Sequence, residues 1–371
     1  MILSINDSVQ STWVFLAIFL LLLFSFISWR KSNQIFPITT TQELKGLAIL
    51  MVVFSHIGYF LVSDHRFLYP LSIASGVGVN IFLFLSGYGL AVSSQREPQT
   101  IGKFWRRRLI KLFLPVWIVL VIFFLLDFFV LRLSYTGQYI IQSFLGYFPG
   151  ADIDHDVNSP LWYFTIILFY YLIFPLAYNR RRPWLGALII YFISYSIIWW
   201  RPAFLQNMMS LYKVHFVAFP LGIAFAWLLS KSTWLVNFNS SKIRLGRVGY
   251  YVSFIALLAI IGYTAYYSGV GEGAVKEQSI SLITTLAILL LFLIKKFKLN
   301  LLVWFGMFSY EIYLLHWPLM YRYDIFFTYL PPWLAVILYL IMFLGLGWLL
   351  HRLTTWLSVK FISNLSSNVI Q

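Results

Sequence analysis

Apolar runs long enough to cross a bilayer recur from one end of this chain to the other, and they constrain its fold more than any other feature. A helix needs about 20 consecutive apolar residues to span a hydrocarbon layer some ~30 Å thick. Such runs lie near 12–29, 44–63, 76–95, 112–131, 160–178, 184–199, 214–230, 250–267, 279–294, 304–322 and 332–350. No stretch between them is long and polar enough to form a separate soluble domain. Only 11% of the 371 residues are charged, where a soluble domain carries about a quarter. The pattern predicts an all-α fold, a polytopic membrane helical bundle of about eleven transmembrane helices. The first ten residues lack a basic segment and no small-residue cleavage site follows, so 12–29 is expected to be a retained helix. With no cysteine, disulfides, thiolate nucleophiles and cysteine metal sites are excluded.

A net charge of +15 would point to nucleic acid in a soluble protein. Here the lipid bilayer explains it, and no nucleic-acid partner is expected, because the charge is sorted by side. With the N-terminus outside, the inner loops hold Arg30, Lys31, Arg96, Lys103, Arg106–Arg108, Lys111, Arg180–Arg182 and others, twenty-one of the 27 basic residues. Eight of the 12 acids fall outside, among them Asp152, Asp154 and Asp156. This is the positive-inside asymmetry, and it predicts an N-out, C-in protein of the inner (cytoplasmic) membrane. No internal repeat is visible. Small residues such as Gly246 and Gly249 are candidate helix-packing contacts.

Ionisable side chains in a bilayer cost roughly 2.5–3.5 kcal/mol on insertion scales, so each needs a reason. Lys45 and His56 lie in QELKGLAILMVVFSHIGYF, eleven residues apart. At about 100° per residue this is roughly 20° past three turns, so the two share one stripe about 16 Å apart. Lys45 belongs near the inner surface and His56 deeper, towards the outer one. WFGMFSYEIYLLHWPLMY holds Glu311, Tyr313 and His316. Tyr313 and His316 share a face, and Glu311 lies about 140° round from His316. Arg106, Arg107, Arg108 and Lys111 read either as a topology anchor or as a seat for a phosphorylated ligand, which guanidinium groups bind bidentately. Arg180–Arg182 reads as an anchor. Asp127 is expected to pair with Arg132, and His215 to be interfacial. Asp152, Asp154 and Asp156 could hold a cation, but with His155 as the one histidine there no catalytic metal is expected. Tyr135, Tyr139, Tyr147 and Phe148 fit stacking on sugar rings and fit a membrane belt equally well.

Five segments, in this order, resemble the membrane-bound acyltransferase 3 family. LKGLAILMVVFSH is similar to its first signature, a basic residue followed by histidine near a helix end. GVGVNIFLFLSGYGLA resembles the next helix, and FWRRRLIKLFLP the arginine-rich motif ending in proline. SPLWYFTIILFYYLIFPL resembles the Trp-aromatic helix after the outer loop, and WFGMFSYEIYLLHWPL the closing signature. Each motif is short, but together they span roughly residues 40–350. The family usually has arginine where this chain has Lys45. Lysine keeps the charge but not the planar fork.

The resemblance implies a ten-helix acyltransferase core over 36–355, an additional N-terminal transmembrane helix within 1–35 and a cytoplasmic tail over 356–371. It also implies transfer of an acyl group, often acetyl, from cytoplasmic acyl-coenzyme A to a hydroxyl of a saccharide or lipid-linked envelope acceptor, as a bacterial O-acyltransferase does. Acyl-coenzyme A would be a substrate, with no permanently bound cofactor. On that reading Arg106, Arg107, Arg108 and Lys111 hold the nucleotide phosphates, and the pantetheine arm follows the stripe of Lys45. His56 is then the general base, and Glu311 or His316 orients it or shapes the acceptor side. No serine nucleophile elbow is visible, so direct transfer is simpler than an acyl-enzyme. The competing class is a transporter or channel, in which buried His and Glu line a path.

Overall fold

The computed structural model describes residues 3–29, 36–231, 247–268 and 275–367. Among them ten helices are long and apolar enough to cross a membrane, and sheet is confined to one two-stranded clip. The order is α1 (Ser8–Ser25), β1 (Ile27–Trp29), α2 (Ile38–Ser55), α3 (Ser75–Arg96), α4 (Ile101–Leu126), α5 (Gly137–Phe144), α6 (Trp162–Ala177), α7 (Pro183–Trp200), α8 (Met209–His215) and α9 (Ala218–Lys231). Then follow α10 (Arg247–Tyr266), α11 (Val275–Ile294), β2 (Phe297–Leu299), α12 (Asn300–Met307), α13 (Ser309–Tyr321) and α14 (Pro332–Ser367). The bundle is polytopic and all-α.

Three elements depart from the sequence expectation. The span expected at 304–322 is two helices, α12 and α13, broken at Phe308, whose φ of −114° and ψ of 17° leave the helical region. The first helix ends at Ser25 rather than near residue 29, because Ile27–Trp29 pairs antiparallel with Phe297–Leu299. The last helix continues to Ser367, well past the expected limit at 350. The basic motif is also helical: α4 starts at Ile101, where the Thr100 hydroxyl accepts the Lys103 N–H at 3.4 Å. Lys and Arg are good helix formers, so nothing stops the helix short of the motif.

Burial sorts the helices. In an 18-residue apolar stretch of α2 with its extension to Leu61, 67% of residues are buried inside the protein, against 22% in such a stretch of α1 and 6% in that of Val248–Tyr266. Thus α2 is the axis of the bundle, and α1 and α10 sit on the lipid-facing edge. Close approach to α2 depends on missing side chains. A Cβ on Gly46 would stand 1.8 Å from the Leu302 carbonyl oxygen, and one on Gly306 1.8 Å from that of Gln42. Backbone therefore lies against backbone where α2 meets α12, the membrane use of small residues. Gly87 and Gly222 do the same between α3 and α9. Of the glycines singled out from the sequence, Gly246 lies outside the described residues.

Two buried ion pairs mark the ends of the bundle. On the face with the basic loops, Glu43 takes the Lys295 ammonium and, at 2.7 Å, the Leu299 N–H. On the opposite face Asp127 is bound by Arg322 at 2.5 Å, with the hydroxyls of Tyr135 and Tyr323. The partner expected for Asp127 was Arg132. That residue instead takes a left-handed backbone conformation (φ 58°) just past the helix end, and Arg322 reaches the carboxylate from the far side.

Candidate active site

The stripe on α2 ends at an irregularity. At His56 the chain leaves the α-helix for one π-type turn, His56–Leu61, a feature frequent at functional sites. Ser55 fixes the junction: its hydroxyl oxygen accepts the Ser75 N–H at 2.9 Å and donates to the Leu71 carbonyl. On the helix that faces it, α13, Pro318 interrupts the hydrogen-bond ladder. Lacking an N–H, it leaves the Leu314 carbonyl unpaired, and the buried Asn158 carboxamide donates to that oxygen at 2.8 Å. Tyr313 donates to the Pro160 carbonyl at 2.7 Å. These bonds staple α13 to the segment before α6 and set the rotation at which His316 points inward.

The two histidines meet. His56 Nδ1 lies 2.7 Å from His316 Nε2, with the rings only 8° from parallel. The other nitrogen of His316 faces the carbonyls of Tyr313 at 2.8 Å and Ile312 at 3.1 Å. Carbonyls can only accept, so His316 Nδ1 carries the hydrogen and its Nε2 the lone pair. His56 Nδ1–H must then donate to it, and the tautomers assigned this way leave His56 Nε2 as a bare acceptor. His316 is fully buried, whereas His56 is half-buried and lines a cavity of about 440 Å³.

That cavity is framed by Tyr59, Phe60, Trp162, Tyr163, Tyr313 and Trp317, with Ser75, Ser159, Ser210 and Ser281 as hydroxyls. Ala151, Ile153 and Asn207 of the connecting segments also line it, which places it towards the face opposite the basic loops. Size and lining are those of a small-molecule site.

The remaining candidates form a separate group nearer the basic face. Lys45, half-buried, has no hydrogen bond or ion pair among the described residues, and the charges that act on it are Arg108 and Glu311. Glu311 turns away from the histidine pair and meets His351 Nδ1 of α14 at 2.7 Å. Three successive arginines cannot share one face, and the structure divides them. Arg106 and Arg107 are exposed, Arg107 with Glu97 at 3.5 Å. Arg108 is half-buried and acts on Lys45, Lys111 and Tyr171. Between this group and the cavity stand four tyrosines. Tyr163 and Tyr313 are on the cavity wall with rings 5.6 Å apart, Tyr310 stacks on Tyr313 at 6.3 Å, and Tyr171 is the one next to Arg108.

His215, expected at an interface, is instead buried and lines the cavity. The outer-loop aromatics hold that loop together: Tyr135 binds Asp127, Tyr139 binds Asp156 at 3.2 Å, Tyr147 donates to the Phe204 carbonyl at 2.6 Å, and Phe148 is buried. The aspartates are likewise engaged by their own loop. Asp152 accepts from the Asp154 and His155 N–H groups, Asp154 from Tyr321, and Asp156 from the Asp152 N–H. Burial pushes the Asp156 carboxyl above the usual carboxylate range. Among the described residues no three His, Cys, Asp or Glu side chains converge as metal ligands would. Asn80, Trp162, Ser281, Trp317 and His351 are site residues that the sequence analysis above does not single out. Asn80 had a signal, an amide in the middle of an apolar helix; the others are legible only through contacts made across the fold.

A helical bundle with ten spans among the described residues and a paired histidine on the wall of a cavity defines a multi-pass membrane protein with a candidate site in its interior. The chain belongs to the acyltransferase 3 family (Acyl_transf_3), whose acyltransferase domain matches residues 44–352. It is also similar to a protein of Shigella phage Sf6 named an O-acetyl transferase, 23% identical over 239 residues that make up 60% of this chain and 69% of the relative. No solved structure matches the chain.

Proposed function

We propose that this acyltransferase moves an acetyl group from acetyl-coenzyme A, bound at the basic face, to a hydroxyl of a saccharide or lipid-linked envelope acceptor held in the cavity on the other face. The observation that carries the reading is the histidine pair. His56 Nε2 has a lone pair directed by tautomer, lies in a cavity of ligand size, and has a proton partner behind it in His316. His56 takes the hydrogen of the acceptor hydroxyl as the oxygen attacks the thioester carbonyl. The carbon–sulfur bond breaks and the proton passes to the departing thiolate, giving an ester and free coenzyme A. General-base help of this kind is worth typically 10²–10⁴-fold. The positive charge on His56 during the step is shared with His316, whose Nδ1–H rests on two carbonyl oxygens.

Charge sorting supports the sides: the basic face is the cytoplasmic side of the inner membrane by the positive-inside rule. The donor is anionic and cytoplasmic, and Arg108 with Lys45 and Lys111 offers cations where its phosphates would arrive, Arg106 and Arg107 extending the seat outward. Glu311, held by His351, balances Lys45 at the inner end of the path. The similarity to a phage protein named an O-acetyl transferase favours acetyl and a hydroxyl acceptor.

The test is thiol release from acetyl-coenzyme A by the purified protein in detergent, together with gain of an acetyl mass on alkali-deacylated envelope polysaccharide from the producing cells. A transporter using the same buried groups would show neither. Absence of both signals from correctly inserted protein rejects the assignment.

A further inference from the structure

A second histidine faces the cavity, and the reaction drawn above leaves it unused. His215, at the end of α8, is 4% exposed and shares the cavity lining with His56. Its Nδ1 lies 2.8 Å from Asn80 Oδ1 on α3, while Asn80 Nδ2 donates to Ser281 Oγ on α11 at 2.9 Å. With the Asn80 oxygen turned to the ring, His215 Nδ1 carries the hydrogen and Nε2 keeps the lone pair. No other group of the described residues hydrogen-bonds that nitrogen, and Trp162 stacks on the ring at 5.9 Å and 21°. Three helices thus commit polar side chains within an apolar interior to fixing one imidazole in one tautomer. Such a linked set of buried polar groups holds the ring in one orientation.

We propose that His215 is a positioning residue for the acceptor, taking a hydrogen bond at Nε2 from a second hydroxyl while the reacting hydroxyl donates to His56 Nε2. This rests on the acyl-transfer reading and narrows it. The acceptor must carry two hydroxyls set to meet both nitrogens, as a sugar ring does. Two acceptor-only nitrogens in one enclosed site discriminate by chemistry: a simple alcohol satisfies one and leaves the other unpaired, a mismatch that binding sites reject strongly. His215 forms no covalent bond and keeps its proton throughout.

The experiment is a KM-against-kcat comparison using acetyl-coenzyme A and alkali-deacylated envelope polysaccharide as acceptor. His215→Phe is expected to raise the KM for polysaccharide about tenfold, the loss of one hydrogen bond in a desolvated site, while the KM for acetyl-coenzyme A stays put. His215→Gln keeps an acceptor oxygen and is expected to recover part of that loss. Asn80→Leu, which frees the ring tautomer, should fall between them. Unchanged polysaccharide KM in either His215 variant overturns the proposal, as does a fall in kcat with both KM values constant. Should His215→Phe fail to accumulate, His215→Gln alone decides, with an expected rise of at least about threefold. A wild-type protein that releases thiol but never acylates the polysaccharide would reject the saccharide reading itself, a failure distinct from that of His215.

Discussion

His56 Nδ1 and His316 Nε2 lie 2.7 Å apart across 260 residues of sequence, and the backbone carbonyls behind His316 decide which way the hydrogen between them points. A lone histidine in an apolar helix would be free to choose its tautomer. This one is held with its outer nitrogen bare.

Replacing His56 by alanine is therefore expected to reduce turnover by at least about 10²-fold with the protein still present in the membrane at near-normal abundance. Retention of more than about a tenth of wild-type turnover removes His56 from the role of general base.

His316→Ala is expected to lower turnover less than His56→Ala does, since it withdraws the partner and not the base. The double variant should be no slower than His56→Ala alone, because groups that act as one unit are non-additive. Multiplying defects would mean that the two rings work independently.

Among the arginines the structure separates Arg108 from its neighbours, and donor kinetics should do the same. Arg108→Gln is expected to raise the KM for acetyl-coenzyme A several-fold, and Arg106→Gln or Arg107→Gln by less, with defects that mimic high salt on the wild type. Accessibility mapping of introduced cysteines must show unchanged topology. Equal, small effects at all three would leave the motif as an anchor.

Lys45 is a compact charge acted on by Arg108 and Glu311, without a hydrogen-bonded partner among the described residues. Lys45→Arg should support activity, reduced if the space fits only an ammonium, while Lys45→Ala and Lys45→Gln should lose it. Thiol release and donor binding by calorimetry would register both. Full activity in Lys45→Ala breaks the link drawn between donor and histidine.

Stability has its own test in the contact between α2 and α12. Gly46→Val puts a side chain into the Leu302 carbonyl and is expected to lower stability by about 3 kcal/mol, read as a fall in Tm in detergent. Gly89, with nothing within 4 Å of an added Cβ, is the control: Gly89→Ala should melt with the wild type. A Gly46→Val protein that melts with the wild type would mean the helices part without loss.

How much of this was legible in the sequence depended on the range of the interaction. Hydropathy alone locates ten of the spans, because crossing a bilayer is a local requirement met residue by residue. The stripe of Lys45 and His56 follows from helix period. What the period could not give was partner choice. Glu311, Asp127 and His215 each carry a polar group that local sequence marks as expensive, yet their partners His351, Arg322 and Asn80 lie 40, 195 and 135 residues away. The break at Phe308 leaves little trace in hydropathy, because the flanking residues stay apolar enough on average for one span to run through it. The division of Arg106–Arg108 was available from the 100° step between neighbours, but only the packing of α4 against the rest says which of the three turns inward.

The four tyrosines between Arg108 and the cavity have a bearing on bioenergetics. A cell membrane maintains a voltage, worth about 2.3 kcal/mol for each elementary charge carried through 100 mV, and any standing aqueous path would dissipate it. Tyr163 and Tyr313 line the cavity, Tyr310 stacks on Tyr313, and Tyr171 feels the charge of Arg108, so these four rings occupy the interior on the side of the cavity from which such a path would come. Liposomes bearing the resting protein should accordingly hold a proton gradient as long as empty ones.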